Sequence, residues 1–328
     1  MPQSSIPYAS ARVSALGKRL LDQQTVKRMA DGSLDDVMRI LQDFHYGGMA
    51  DVTAEDCERM IESERIRTAQ EIREISPIPD VTDLFLLQTD VQNLKLLVKA
   101  RLLEINVCLQ AGGLYSSEKL QHMVFEQDYR ELPTELRKAM QQLEQKLKIE
   151  VDPQQVSVEI DKGYLSHALD IAASDKTGFA AAYFTALCDF DNVITLLRLR
   201  AMNAPKEDLK SMLLPAGKIT HQKLMASYDL PLDSLARAFP AGDAQRAMFN
   251  GFSKMQQSGN IASLEHERDD YLLSLVKSHK HESMSVYPVL GYLLAKDREA
   301  RAIRLIVTVK RNGLDDAVIQ ERLCELYG

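Results

Sequence analysis

The chain has 328 residues, 45% of them apolar, with 40 Lys and Arg against 47 Asp and Glu for a net charge of −7. That length allows two or three domains with real cores, and the acidic balance excludes the global basic field that grips a phosphate backbone or an anionic bilayer, so nucleic acid is not an expected partner. Only 15 Gly and 11 Pro occur, and the abundance of Leu, Ala, Glu, Gln and Lys points to an all-α fold.

In chain order, Met1 to Ser10 lacks the apolar stretch of a signal peptide. Tyr8 to Asp22 then places Val13, Leu16, Leu20 and Leu21 on one side of an expected helix, with Gly17 as a tolerated weak point. From Ser33 to Phe44 the residues Leu34, Val37, Met38, Ile40 and Leu41 fall at helical spacing, and Ser33 is the expected N-cap. Gly47-Gly48 breaks the chain before Thr53 to Ile75, where alternating Glu and Arg predict a largely solvated helix.

Ser76-Pro77-Ile78-Pro79-Asp80 is a strong stop signal, because each proline pushes its predecessor out of the helical region while Asp80 can cap the next helix. A long core helix is expected there, with its stripe at Leu84, Leu87, Val91, Leu94 and Val98. The same frame returns 99 residues later at Tyr183, Ala186, Phe190, Val193 and Leu197. Within it, Asp90, Asn93, Leu94, Leu97, Lys99 and Arg101 match Asp189, Asn192, Val193, Leu196, Arg198 and Arg200. A weaker copy lies 209 residues beyond the first, with Leu293, Ala300, Ile303, Ile306 and Val307 in frame and Glu299 at the Asp90 position; Ala302 replaces the Asn, and Lys296 interrupts the stripe. Glycine breaks at Gly113 and Gly217 each lead to another helix, around Leu120 and Leu224, and Asn312-Gly313 closes the third copy. Repeats of about 100 residues are too long for a solenoid, so the expected parts are three small helical domains at 1–112, 113–216 and 217–328.

Cys57, Cys108, Cys188 and Cys324 form no CxxC pair, so neither a disulfide framework nor a zinc knuckle is indicated, and reduced thiols in a cytosolic chain are expected. The longest apolar runs stop at about ten residues, half of what a bilayer crossing takes, so no transmembrane span is expected. Gly217-Lys218-Ile219-Thr220 resembles half of a phosphate loop, but Met212 stands where the first glycine belongs and Ile219 where the hydroxyl should be. His279 and His281 are neighbours without a Cys or Asp cluster, which favours a solvated basic patch over a metal pair. The recurrence of Asp90 with Asn93 as Asp189 with Asn192 argues for a structural duty, with the asparagines satisfying polar groups at helix crossings. Lys99, Arg101, Arg198 and Arg200 are expected to snorkel at helix ends or to bind acidic partner surfaces. The dispersed methionines read as core filling. No catalytic, cofactor-binding or metal-ligating residue is indicated.

Several separated segments together resemble one known family. They are Tyr8-Ala-x-Ala11-Arg12-Val13, the run from Asp83 to Lys99, the run from Asp189 to Arg200, Leu214-Pro215-x-Gly217, and Gly291 to Glu299 followed by Asn312-Gly313-Leu314. In this order they resemble the C-type stalk component of bacterial and archaeal V-type (A/V-type) ATPases, whose eukaryotic relative is the d component. The resemblance implies a funnel-shaped, all-helical body of three similar parts around a pseudo-threefold axis. It also implies a noncatalytic central-stalk subunit without cofactors, peripheral on the cytoplasmic face of the membrane. There it would be a socket joining shaft subunits D and F to the membrane rotor ring, with the membrane stator subunit as a further candidate partner. The alternative is a free-standing cytosolic helical scaffold.

Overall fold

The computed structural model describes residues 5–49, 53–150, 152–237, 240–282 and 284–327; Met1 to Ser4, part of the stretch read for a signal peptide, lie outside them. No strand occurs among the described residues, and the all-α expectation is met. The helices are α1 (Ile6–Leu16), α2 (Gln23–Asp31), α3 (Leu34–Asp43), α4 (Cys57–Ile75), α5 (Pro79–Leu103), α6 (Ser117–Phe125), α7 (Thr134–Leu147) and α8 (Pro153–Ser174). They continue as α9 (Phe179–Ala201), α10 (Lys206–Met212), α11 (His221–Ala226), α12 (Leu232–Ala236), α13 (Asp243–Ser258), α14 (Ala262–Lys277), α15 (Tyr287–Arg311) and α16 (Ala317–Arg322).

Local chemistry sets many of these boundaries. Ser33 caps α3 through a capping box, its side chain accepting from the Asp36 N–H while the Asp36 carboxylate accepts from the Ser33 N–H. The helix expected over Tyr8 to Asp22 ends at Leu16: Gly17–Arg19 is a 3-10 turn, Leu20 is extended, and Asp22 restarts the chain as the N-cap of α2. Glycine's poor helix propensity and a strong cap five residues on outweigh the apolar period here. The helix ending at Ile75 is not solvated either. Cys57, Ile61, Glu64, Thr68, Ile72 and Ile75 of α4 are buried, a helical stripe that the Glu/Arg alternation conceals because it contains a glutamate.

The chain forms two compact units. One takes Met1–Thr89, Gln110–Leu114 and Val276–Gly328, and the other takes Asp90–Leu109 and Tyr115–Leu275. In the first, Val26, Met29, Val37 and Leu41 from α2 and α3 and Met60 and Ile61 from α4 share a core with Ile303, Ile306 and Val307 of α15. In the second, Phe190, Val193, Ile194 and Leu197 of α9 pack with Leu209, Leu224, Leu235, Met248, Phe252 and Leu264. All three expected stripes are buried. Met29, Met60, Met123, Met140 and Met248 fill cores as expected, whereas Met202 and Met284 are exposed. Among the described residues α9 is long and apolar enough to cross a membrane, with a mean hydropathy of 1.2. Uninterrupted apolar runs do not reveal this because Asp189, Asp191 and Asn192 punctuate the helix, and its apolar side chains are accounted for by burial in the core of the second unit.

Candidate functional site

Lys296, the residue that interrupts the third stripe, is 4% exposed and sits between two buried carboxylates. Its Nζ lies 2.9 Å from Oε1 of Glu64 and 2.8 Å from Oε2 of Glu299. The remaining acceptor capacity is used: Glu64 accepts from the Gly47 N–H at 3.1 Å and from Arg67, and Oε1 of Glu299 accepts from the Leu21 N–H. The rings of Tyr46 and Tyr292 flank the ammonium at 5.5 and 5.9 Å. Burial raises the carboxyl of Glu64, but Lys296 and Arg67 outweigh it and hold the group below its ordinary range. For Glu299 burial wins over the Lys296 charge, and its carboxyl is pushed up to about 7. A buried ion cluster with every oxygen engaged fixes geometry; it has no access for a substrate. Glu64 is not legible as a partner because it is 232 residues from Lys296, although a lysine inside an apolar stripe is the signal that a buried acid must face it.

The second arrangement lies where the Asp/Asn motif of α9 meets the loop after α10. Asp189 accepts from the backbone N–H groups of Lys218 and Ile219 at 2.9 and 3.0 Å. Asn192 accepts from the Leu214 N–H at 2.8 Å and donates to the Leu214 and Pro215 carbonyls. The asparagine therefore satisfies backbone, as expected, but the backbone of a loop and not of a helix crossing. Gly217 is needed for close approach: a Cβ there would lie 2.3 Å from the Thr185 carbonyl oxygen and 2.6 Å from Oδ1 of Asp189. This clamp also disposes of the phosphate-loop resemblance, since the amides that could cradle an anion already hold a carboxylate. Thr220 is the N-cap of α11, so the segment is a turn and helix start.

The basic residues at the ends of α5 and α9 make specific bonds. Lys99 donates to Ser157, Arg101 donates through Nη2 to both carboxylate oxygens of buried Glu144, Arg198 pairs with Glu265, and Arg200 donates to the Leu230 carbonyl. The Lys99 and Arg101 bonds are part-buried, whereas those of Arg198 and Arg200 are exposed. His279 and His281 fall in the turn after α14; His279 pairs with Glu282 at 2.6 Å and stacks on Tyr287. No group of three or more potential metal ligands occurs among the described residues. Cys57 and Cys188 are buried, and none of the four cysteines is in a disulfide.

Known proteins place this geometry in context. Residues 9–322 match the family model described as ATP synthase (C/AC39) subunit. The chain is 25% identical over 338 residues to the C-type component of the A-type ATP synthase of Pyrococcus abyssi, an alignment covering 97% of this chain and 90% of that protein. It is 23% identical over 320 residues to the C-type component of the V-type sodium ATPase of Enterococcus hirae, covering 94% of each. Over 343 residues it is 23% identical to the C-type component of the A-type ATP synthase of Methanosarcina acetivorans, covering 98% of this chain and 93% of that protein.

Proposed function

The chain belongs to the ATP synthase (C/AC39) subunit family, and from that premise we propose that it is the noncatalytic connector of a rotary ATPase. In this reading it is a socket that joins the D and F shaft to the membrane rotor ring, peripheral on the cytoplasmic face, and serves ATP synthesis or ATP-driven proton or sodium transport. The observation that carries the reading is the match over nearly the whole length of chain and relatives alike. Physical chemistry supports it: close-packed helices have low compressibility and pass on strain, and the buried carboxylates of the Lys296 cluster are engaged in internal bonds. The recurrence of the apolar stripe of α5 in α9 and α15, at offsets of 99 and 209 residues, supports three related helical parts.

The test is binding. Purified chain should capture a D–F shaft complex at low salt and lose it as salt rises, because exposed charge contacts are screened within about 10 Å at 0.1 M. It should hydrolyse no ATP by itself. Failure to bind any shaft or ring component at low salt contradicts the proposal.

A further inference from the structure

We infer that the third repeat is assembled from two distant stretches of the sequence: residues 22–75 supply the short helix, middle helix and last helix that α15 would otherwise lack. A set of bonds recurs at the repeat offsets. Each long helix ends in a residue with a left-handed backbone, Glu104, Asn203 and Gly313, with φ of 53°, 53° and 62°. In each, the next amide bonds five residues back, Ile105 to Ala100, Ala204 to Leu199 and Leu314 to Val309. The three ends are thus one motif at offsets of 99 and 209 residues, which fixes the register of α15 against α5 and α9 independently of the apolar stripe.

With that register set, the partners of α15 can be compared with those of its counterparts. Arg101 of α5 donates to the carbonyl of Val124 in α6, and Arg200 of α9 donates to the carbonyl of Leu230 just after α11. The equivalent residue of α15, Lys310, donates at 2.7 Å to the carbonyl of Ala30, near the end of α2. Ahead of the short helix, Asp189 holds the Ile219 amide and Glu299 holds the Leu21 amide, in each case one residue before the N-cap. Those N-caps are alike, with Ser116, Thr220 and Asp22 each accepting from the amide three residues on. An ion pair ties the long helix to the last helix of the group three times: Lys95 to Asp161, Asp191 to Arg268, and Arg304 to Glu58. Thus α2 stands to α15 as α6 stands to α5 and α11 to α9, and α4 stands to α15 as α8 and α14 stand to theirs.

The consequence is a noncovalent seam. In the first two repeats the long helix runs on through the chain to its short helix, whereas α15 is joined to α2 by side-chain clamps and the shared core alone. This seam is a matter of how the repeats are built and stands apart from the connector function.

Hydrogen exchange on the full chain tests it. Core amides of α2 and α3 should share the protection of α15, and Lys310→Met should speed exchange in α2, α3 and α15 together by tenfold or more. The equivalent Arg200→Met should instead speed exchange in α9 and α11. Exchange in α2 and α3 tenfold faster than in α15 in the unaltered protein, or an α15 indifferent to Lys310→Met, overturns the inference. A second measurement leaves the clamps intact: a protease site inserted between Ser76 and Pro77 of the full chain is cut in the folded state. Residues 1–76 should co-elute with the remainder through gel filtration. Their release from a remainder that keeps its helical circular dichroism overturns the inference.

Discussion

Glu299 and Asn192 do similar work by different chemistry, and each carries a measurable consequence. The Glu299 carboxyl, raised to about 7 by burial, keeps its proton in the folded chain where the unfolded chain, near its ordinary 4.5, has lost it. A raised acid contributes stability in full below the unfolded value and withdraws it as pH climbs through the folded value. The window therefore runs from about 4.5 to about 7, and the change is roughly 3 kcal/mol by linkage. Glu64, shifted the other way by Lys296 and Arg67, loses its contribution only below that window. Glu299→Gln, which keeps an acceptor for the Leu21 amide but cannot ionise, should gain on the unaltered protein in urea unfolding as pH is raised from 5 to 8. A variant that loses ground over that range shows the carboxylate to be a net favourable partner of Lys296. Asn192→Ala leaves the Leu214 N–H and two carbonyls of the clamped loop without their partner and should cost about 2 kcal/mol. Lys218→Ala should leave urea stability nearly unchanged, because the backbone amide of Lys218, which Asp189 accepts from, is retained.

Helices one at a time show what the sequence reveals and what it hides. Periodicity exposes the stripes of α5, α9 and α15, since an apolar residue every three or four positions over several turns marks one face of a packed helix, and Ser33 announces the start of α3 because its capping box is local. α4 is hidden for the opposite reason. Its buried face includes Glu64, whose partners Lys296 and the Gly47 amide are brought to it only by the fold. The clamp of α9 is half legible: Asp189, Asn192 and Gly217 stand out as motif residues, but nothing in their spacing says that the first two hold the loop containing the third. Tertiary closeness is likewise invisible at Gly163 of α8, where a Cβ would lie 2.5 Å from the Ala139 Cβ and 3.0 Å from the Leu136 Cα of α7. That crossing admits no side chain without moving a backbone, so Gly163→Val should destabilise the chain by about 2 kcal/mol or more, read as a fall in the urea midpoint at unchanged slope. An unchanged midpoint means that α7 and α8 are not in close contact there.

As a whole the molecule uses its polar chemistry to hold helices and loops in register. The carboxylates of the Lys296 cluster, the amides after Gly217 and the bases at the ends of α5 and α9 are bonded to one another or to backbone, and the thiols of Cys57 and Cys188 are buried. Such an interior suits a part that must keep its shape under load, and the family to which the chain belongs is built into rotary ATPases. Affinity isolation of the tagged full chain from native membranes at low salt tests this most directly. Recovery together with the D and F shaft subunits and the ring of an A/V-type ATPase is expected. Recovery of the chain wholly in the soluble fraction, with no ATPase component attached, contradicts the connector role.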